Sequence, residues 1–220
     1  MKMKVLVVAA ATLASSSAFA GATGNAGAYS SYLYRGIDQA GVAAVQGGLD
    51  YATESGLYVG TWASSLSGGA YETDLYAGFS GKSGDIGYDV GYIFYGYRDF
   101  TQANYSEVYA GLSFAGLSGK FFYSPEFAVS DDAGYYVTAS YALALSESLT
   151  LTPQVGYSWG KGIEESYFGG DEDSYVDYSL TLAKSIEGGY TFSFGVAGNS
   201  EDDYLGKETV FVGLKKVFDL

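Results

Sequence analysis

The 220-residue chain contains neither histidine nor cysteine. Ser-His-Asp and Cys-His catalysis and His-based zinc sites are therefore closed to it, because each needs an imidazole or a thiolate. Carboxylates remain. Glu72 and Asp74 stand two apart, which on a strand puts both on one face, where such a pair could share acid–base work. The surrounding sequence shows neither a substrate pocket nor a perturbing environment for them, and the chain reads as a non-enzyme without a cofactor. Two acidic clusters, Asp171-Glu172-Asp173 and Glu201-Asp202-Asp203, could offer oxygen ligands to Ca²⁺ but lack the Gly and Glu spacing of an EF-hand loop. They read as solvated loops, with at most a divalent-ion contact to lipopolysaccharide. No metal site is expected. Eleven Lys and Arg against 25 Asp and Glu leave a net charge of −14, which disfavours nucleic acid as a partner.

The elements that carry these residues follow from two patterns. Residues 1–20 combine Lys2 and Lys4 with the apolar stretch Val5 to Ala14 and end in Ala18-Phe19-Ala20, the layout of a cleaved signal peptide. The mature chain, 21–220, would be a single unit, and loss of two lysines makes it more acidic still. Beyond the leader the longest charge-free run, Ser55 to Tyr71, is broken by Ser, Thr and Gly, so no transmembrane helix is expected.

Period-two alternation is the dominant signal, and it predicts strands with two unlike faces. Ile86, Tyr88, Val90, Tyr92 and Phe94 oppose Asp85, Gly87, Asp89, Gly91 and Ile93; Leu149 to Trp159 and the stretches 175–183 and 190–197 repeat the pattern. About twelve strands, with ten as the alternative, start near residues 28, 42, 57, 71, 86, 105, 119, 134, 148, 174, 188 and 208. Short turns such as Glu54-Ser55-Gly56, Lys82-Ser83-Gly84 and Glu187-Gly188 alternate with longer links such as Tyr97 to Asn104 and Lys161 to Asp173.

This asymmetry is that of an all-β, transmembrane, antiparallel up-and-down β-barrel in the Gram-negative outer membrane, with both termini periplasmic. A secreted β-sandwich also alternates. Its polar face would carry Lys, Glu and Arg, whereas here that face is largely Gly, Ser, Ala and Thr, which suits a confined interior. The apolar faces carry Tyr and Phe, with Trp62 and Trp159 expected among the rings at headgroup level. The Gly-Tyr steps, Gly87-Tyr88, Gly91-Tyr92, Gly156-Tyr157 and Gly189-Tyr190, read as glycine relieving crowding beside an outward ring. The face of strand 57–66 stays open, since Tyr58, Gly60 and Trp62 compete with Leu57, Val59 and Ala63 for lipid.

The segment Ser30 to Ser64, with Tyr34-Arg35-Gly36-Ile37, Ala44-Val45-Gln46-Gly47-Gly48-Leu49-Asp50-Tyr51 and Tyr58-Val59-Gly60-Thr61-Trp62-Ala63-Ser64, strongly resembles the opening of the TorF family of proposed porins, also called the Gcw_chp family. The resemblance implies an outer-membrane barrel with a pore and assigns neither substrate nor catalytic residues. Beyond Ser64 it is one of texture only.

Twelve strands about 4.8 Å apart and tilted about 40° give a backbone diameter of roughly 24 Å, leaving roughly 10 Å of lumen once side chains are counted. That admits ions and small hydrophilic solutes if no loop folds inward; Lys161 to Asp173 is the candidate plug. The charges on the faces assigned inward are Arg35, Asp50, Glu72, Asp74, Asp89, Glu107, Lys120, Glu126 and Asp177. Their acidic excess predicts modest cation selectivity, unless the charges pair within the wall. The alternative is a non-conducting barrel with a structural or surface-interaction role. Neither the solute nor the oligomeric state is fixed by the sequence.

Overall fold

The computed structural model describes residues 20–98, 100–170, 172–201 and 205–220. The expected leader, apart from Ala20, lies outside them. The described residues form fifteen strands: β1 Gly21–Tyr29, β2 Leu33–Tyr34, β3 Ile37–Asp38, β4 Ala44–Ala52, β5 Leu57–Ser65, β6 Tyr71–Ser83, β7 Ile86–Tyr97, β8 Tyr105–Phe114, β9 Leu117–Ser124, β10 Gly134–Tyr141, β11 Leu143–Ser146, β12 Leu149–Trp159, β13 Ser174–Ile186, β14 Tyr190–Asn199 and β15 Thr209–Asp219. Among the described residues all pairings are antiparallel, consecutive wall strands pair, β1 pairs with β4 and closes on β15, β12 pairs with both β10 and β11, and the hairpin β2–β3 stands outside the main sheet. β10 and β11 are one wall strand interrupted at Ala142, whose N–H donates to the Gly116 carbonyl at 2.9 Å. The result is a closed barrel of twelve strands. Closure leaves no unpaired edge, which is what a sheet surrounded by hydrocarbon requires.

Alternation sorts the side chains. The outer face carries an apolar band in which Val45 is 68% and Leu112 is 63% exposed, joined by Leu75, Val90, Val155, Leu180, Phe194 and Val212. Such continuous apolar exposure is stable only against lipid. Phe121, Tyr123, Tyr135, Tyr157 and Trp159 stack outside β9, β10 and β12, with Tyr135–Trp159 and Tyr157–Trp159 centroids both 5.3 Å apart. This is one arc of the expected aromatic belt. Tyr92, Tyr157 and Tyr190 also point outward, as the Gly-Tyr steps predict. Lys216 on the outer face of β15 rests its ammonium 4.8 Å over the Tyr190 ring, which softens its intrusion into the apolar strand.

The short turns 53–56, 84–85, 115–116, 147–148 and 187–189 share one end with both termini, since Gly21 pairs with Ala52 and Asp219 with Thr23. In the turn Ala115-Gly116 both residues have positive φ, 49° and 89°, matching the twist of the flanking strands. The six longer links, 30–43, 66–70, 98–104, 125–133, 160–173 and 200–208, gather at the other end.

The first strand departs from expectation: it starts at Gly21, not near residue 28. Its outer residues are Ala22, Gly24, Ala26 and Ala28, too small to register as an apolar face. The Phe218 ring of β15 supplies the missing cover, lying where a side chain at Gly24 would be.

Candidate functional site: the barrel lumen

Inside the barrel the two halves of the wall differ. From β6 to β10 the inner face carries Tyr76, Ile93, Tyr95, Tyr105, Tyr109, Phe122 and Tyr136, all buried in one continuous aromatic cluster. From β12 round through β1 to β4 it is lined by Thr150, Thr152, Gln154, Ser179, Ser193, Asn25, Gln46 and Gly48, with Tyr29, Tyr175 and Phe211 as the large exceptions. Glycine makes room for the inward rings. A Cβ at Gly60 would fall 2.5 Å from the Tyr76 ring, and one at Gly91 would fall 2.6 Å from the Tyr109 hydroxyl. In the steps Gly91-Tyr92 and Gly156-Tyr157 the glycine thus serves an inward ring on the neighbouring strand, Tyr109 and Tyr136, as well as freeing its own outward one.

The open face of β5 is settled by hydrogen bonds. The Tyr58 hydroxyl donates to Asp89 Oδ1 at 2.6 Å and also bonds Tyr109, so Tyr58, Gly60 and Trp62 face inward while Leu57 and Val59 meet lipid. Trp62 is therefore no belt residue: its ring packs edge-on against Tyr32 inside the barrel, with centroids 5.3 Å apart.

The link 30–43 folds into the lumen as the hairpin β2–β3. Arg35 and Gly36 form its two-residue tip, both at positive φ, 48° and 78°. Gly36 is required twice, by its conformation and by space, since a Cβ there would lie 2.5 Å from the Gly198 carbonyl. Three strong contacts seat the hairpin against the walls. Arg35 Nη2 donates to both oxygens of Glu107, at 2.6 and 2.8 Å, in an ion pair buried on both sides. Tyr32 donates to Glu72 Oε1 at 2.7 Å, and the Asn199 amide donates to the Gly36 carbonyl at 3.1 Å. The Arg35 guanidinium also stacks on rings, 4.1 Å from the Tyr136 centroid, 4.7 Å from Tyr34 and 5.3 Å from Phe122. Arg35 is thus a lumen residue, but one carried by a loop and not by a barrel strand as its face assignment implied.

A second element covers the same end. The short helix α1, Lys161–Ile163, runs into a π-turn Glu164–Phe168 that buries Ile163 and Phe168, and Phe127 packs edge-on against Tyr167. Lys161 bridges Asp132 at 2.6 Å and Glu165 at 3.2 Å, and Ser130 donates to Glu165 at 2.6 Å. The hydrogen bond to Asp132 raises the Lys161 pKa, and the Ser130 and Lys161 bonds lower that of Glu165. Within the candidate plug 161–173, residues 161–168 therefore fold as a lid over one side of the mouth, while the deeper occupant is the hairpin.

Of the remaining charges assigned inward, Asp50, Glu72, Asp74, Asp89, Glu107, Lys120 and Asp177 do face the interior. Glu126 does not: it is exposed in the link after β9, where the strand has already ended and its carbonyl accepts from the Ser124 hydroxyl. Pairing inside the wall is extensive. Lys120 bridges Asp89 at 2.6 Å, Tyr76 donates to Asp50 at 2.5 Å, Tyr95 to Glu107 at 3.0 Å and Tyr136 to Asp177 at 3.3 Å. Sequence reasoning missed Lys215, which faces inward on β15 within electrostatic reach of Asp50. It also missed the inward tyrosines. Their signal was present in the inner-face glycines Gly60, Gly78, Gly91 and Gly156, each facing a tyrosine one strand away. Glu72 and Asp74 come together as predicted and carry no third acid, and no cluster of three potential metal ligands occurs among the described residues.

A family model described as a bacterial protein of unknown function, Gcw_chp, matches residues 11–218. That description does not carry the TorF name. No curated protein matches the chain in sequence. Among solved structures, the KdgM porin matches with a TM-score of 0.63 at 12% identity, covering 89% of this chain and 99% of that one. The KdgM porin in complex with disordered oligogalacturonate gives 0.62 at 12% identity, over 90% and 99%. The NanC porin gives 0.58 at 9% identity, over 91% and 100%. At these identities the likeness is one of fold, and the fold is that of an outer-membrane porin.

Proposed function

The chain belongs to the Gcw_chp family, and from that premise and its porin fold we propose that it is an outer-membrane pore for passive diffusion of ions and small hydrophilic solutes. The observation that carries this reading is the two-sided wall, a lipid-facing apolar band around a closed barrel whose inner face is polar over half its circumference. The leader 1–20 exports the chain, β1 begins the mature protein at Gly21, and the short-turn end with both termini lies in the periplasm. The six longer links then face outward, toward lipopolysaccharide. The aqueous path runs along the small-residue half, beside the hairpin tip.

Apart from Lys82 and Asp219, which lie on inner faces at the short-turn rim and offset each other, six inward acids face three inward bases, Arg35, Lys120 and Lys215. Arg35–Glu107 and Lys120–Asp89 neutralise each other, Glu72 and Asp74 are buried side by side on the scaffold half, and on the half that carries the path Asp50 and Asp177 outweigh Lys215. This residue of negative charge favours cations. It also argues against the acidic oligosaccharide found with KdgM as a solute for this barrel. A second reading, a closed barrel with a structural or surface role, is favoured by the reach of the hairpin across the lumen to Glu107.

Planar-bilayer recording of the refolded chain 21–220 in a KCl gradient separates the two. Discrete current steps with a cation-signed reversal potential support the pore. Silence from protein shown to be folded by its unboiled gel mobility supports the closed barrel, and an anion-signed potential overturns the selectivity.

A further inference from the structure

Glu107 is 1% exposed on the inner face of β8, and its neutral support from the wall is the Tyr95 hydroxyl. A carboxylate so placed requires a cation. Phe122 of β9 and Tyr136 of β10 stand beside it and present ring faces to whatever cation arrives. All of these groups belong to the rigid wall, whereas the guanidinium that fills the space comes on a loop. We propose that Glu107 with the rings of Phe122 and Tyr136 is a binding site for organic cations of the guanidinium class, and that Arg35 occupies it as a displaceable latch.

Two features make the latch an imperfect ligand. Arg35 is held at φ 48°, a left-handed conformation that a side-chain-bearing residue adopts at a cost. Its Nη1 is buried without a hydrogen-bond partner, so only one terminal nitrogen of the planar group meets the carboxylate. A free guanidinium is bound by neither constraint and can turn two nitrogens toward Glu107, the arrangement that suits a carboxylate best. A short flexible tether alone would give the latch an effective concentration of roughly mM, and the seating of the hairpin by Tyr32 and Asn199 raises it further, so in wild type a free solute competes only above that range. The consequence for transport, that a guanidinium solute exchanges for Arg35 and loosens the hairpin, rests on the pore reading; the site itself does not.

The test is titration of methylguanidinium chloride into refolded wild-type protein, R35A and R35A/E107Q in detergent, followed by tyrosine fluorescence, with urea as the neutral isostere. R35A should bind methylguanidinium saturably, wild type more weakly because Arg35 competes, and R35A/E107Q about tenfold or more weaker than R35A, while urea binds none of them. Equal binding by R35A and R35A/E107Q overturns the site, and equal binding by wild type and R35A overturns the latch. If R35A refolds only with methylguanidinium present, that rescue supports the site. If it refolds in neither condition, R35Q, which retains the side-chain stem, takes its place with the same two outcomes. A barrel silent in bilayers that still binds methylguanidinium loses the pore reading and keeps the site, and a conducting barrel without binding does the reverse.

Discussion

The two halves of the lumen wall share one backbone pattern and differ in what fills it. Between β6 and β10 the inner face holds buried rings and the carboxylates they hydrogen-bond, and the hairpin tip docks there through Arg35. Between β12 and β4 the inner face holds mainly hydroxyls, amides and glycines that leave space. A strand's alternation reports which face meets lipid, because that face must be apolar. It does not report how full the other side is. The barrel uses this freedom to make one half a scaffold for the hairpin and the other, the proposed channel half, a polar wall of small side chains.

Substitutions on the scaffold half should therefore cost far more than those on the channel half. The largest effect is expected for Glu107→Ala, which leaves the Arg35 guanidinium buried without its carboxylate. Removing one partner of a buried pair costs about 3–5 kcal/mol, and denaturant unfolding from liposomes together with proteolysis of the link 30–43 would register it. Gly36→Ala comes next, at about 1–3 kcal/mol for strain, since the added methyl meets the Gly198 carbonyl. It should unseat the tip and raise single-channel conductance; unchanged conductance would mean that the hairpin does not constrict the path.

Tyr76→Phe removes the hydrogen bond to Asp50 and should cost about 0.5–1.5 kcal/mol. Ser193→Ala on the channel half should fall within about 0.5 kcal/mol, and a larger loss would break the contrast between the walls. The smallest effect belongs to the lid. Glu165 has a lowered pKa, so its contribution is full above its unfolded pKa, about 4.3, and is lost as pH falls through its lower folded value. Lys161 has a raised pKa, so its share is full below the ordinary lysine value and is lost only as pH rises through the folded one. Opening of the lid, followed by amide exchange in 161–168, should thus increase on acidification and hardly change between neutral and mildly alkaline pH.

Much of the barrel was legible in the sequence because lipid enforces it. Strand starts at Leu57, Tyr71, Ile86, Tyr105, Gly134 and Ser174 fall where alternation places them. The first strand was missed because Gly24 borrows its apolar cover from Phe218, a partner nearly two hundred residues away in sequence. Trp62 was assigned to the belt because an aromatic ring is equally at home at an interface and against Tyr32. Seven of the nine charges lie on inner strand faces because a charge facing lipid is costly at mid-depth and is tolerated only toward the strand ends, as at Lys216. Arg35 and Glu126 lie in links, where the two-residue period no longer constrains them. The docking of Arg35 on Glu107 joins residues 72 apart, a pairing that no local pattern encodes.

The chain has no cysteine, so each introduced thiol is the only one, and the contrast between the walls can be read directly. Ser179→Cys on the channel half and Ser124→Cys, fully buried in the scaffold half, would each be recorded in a planar bilayer before and after a cationic thiol-reactive reagent. The account predicts that Ser179→Cys reacts and loses current while Ser124→Cys keeps its current unchanged. Reaction at Ser124→Cys with Ser179→Cys inert, or no current from either folded barrel, would contradict it.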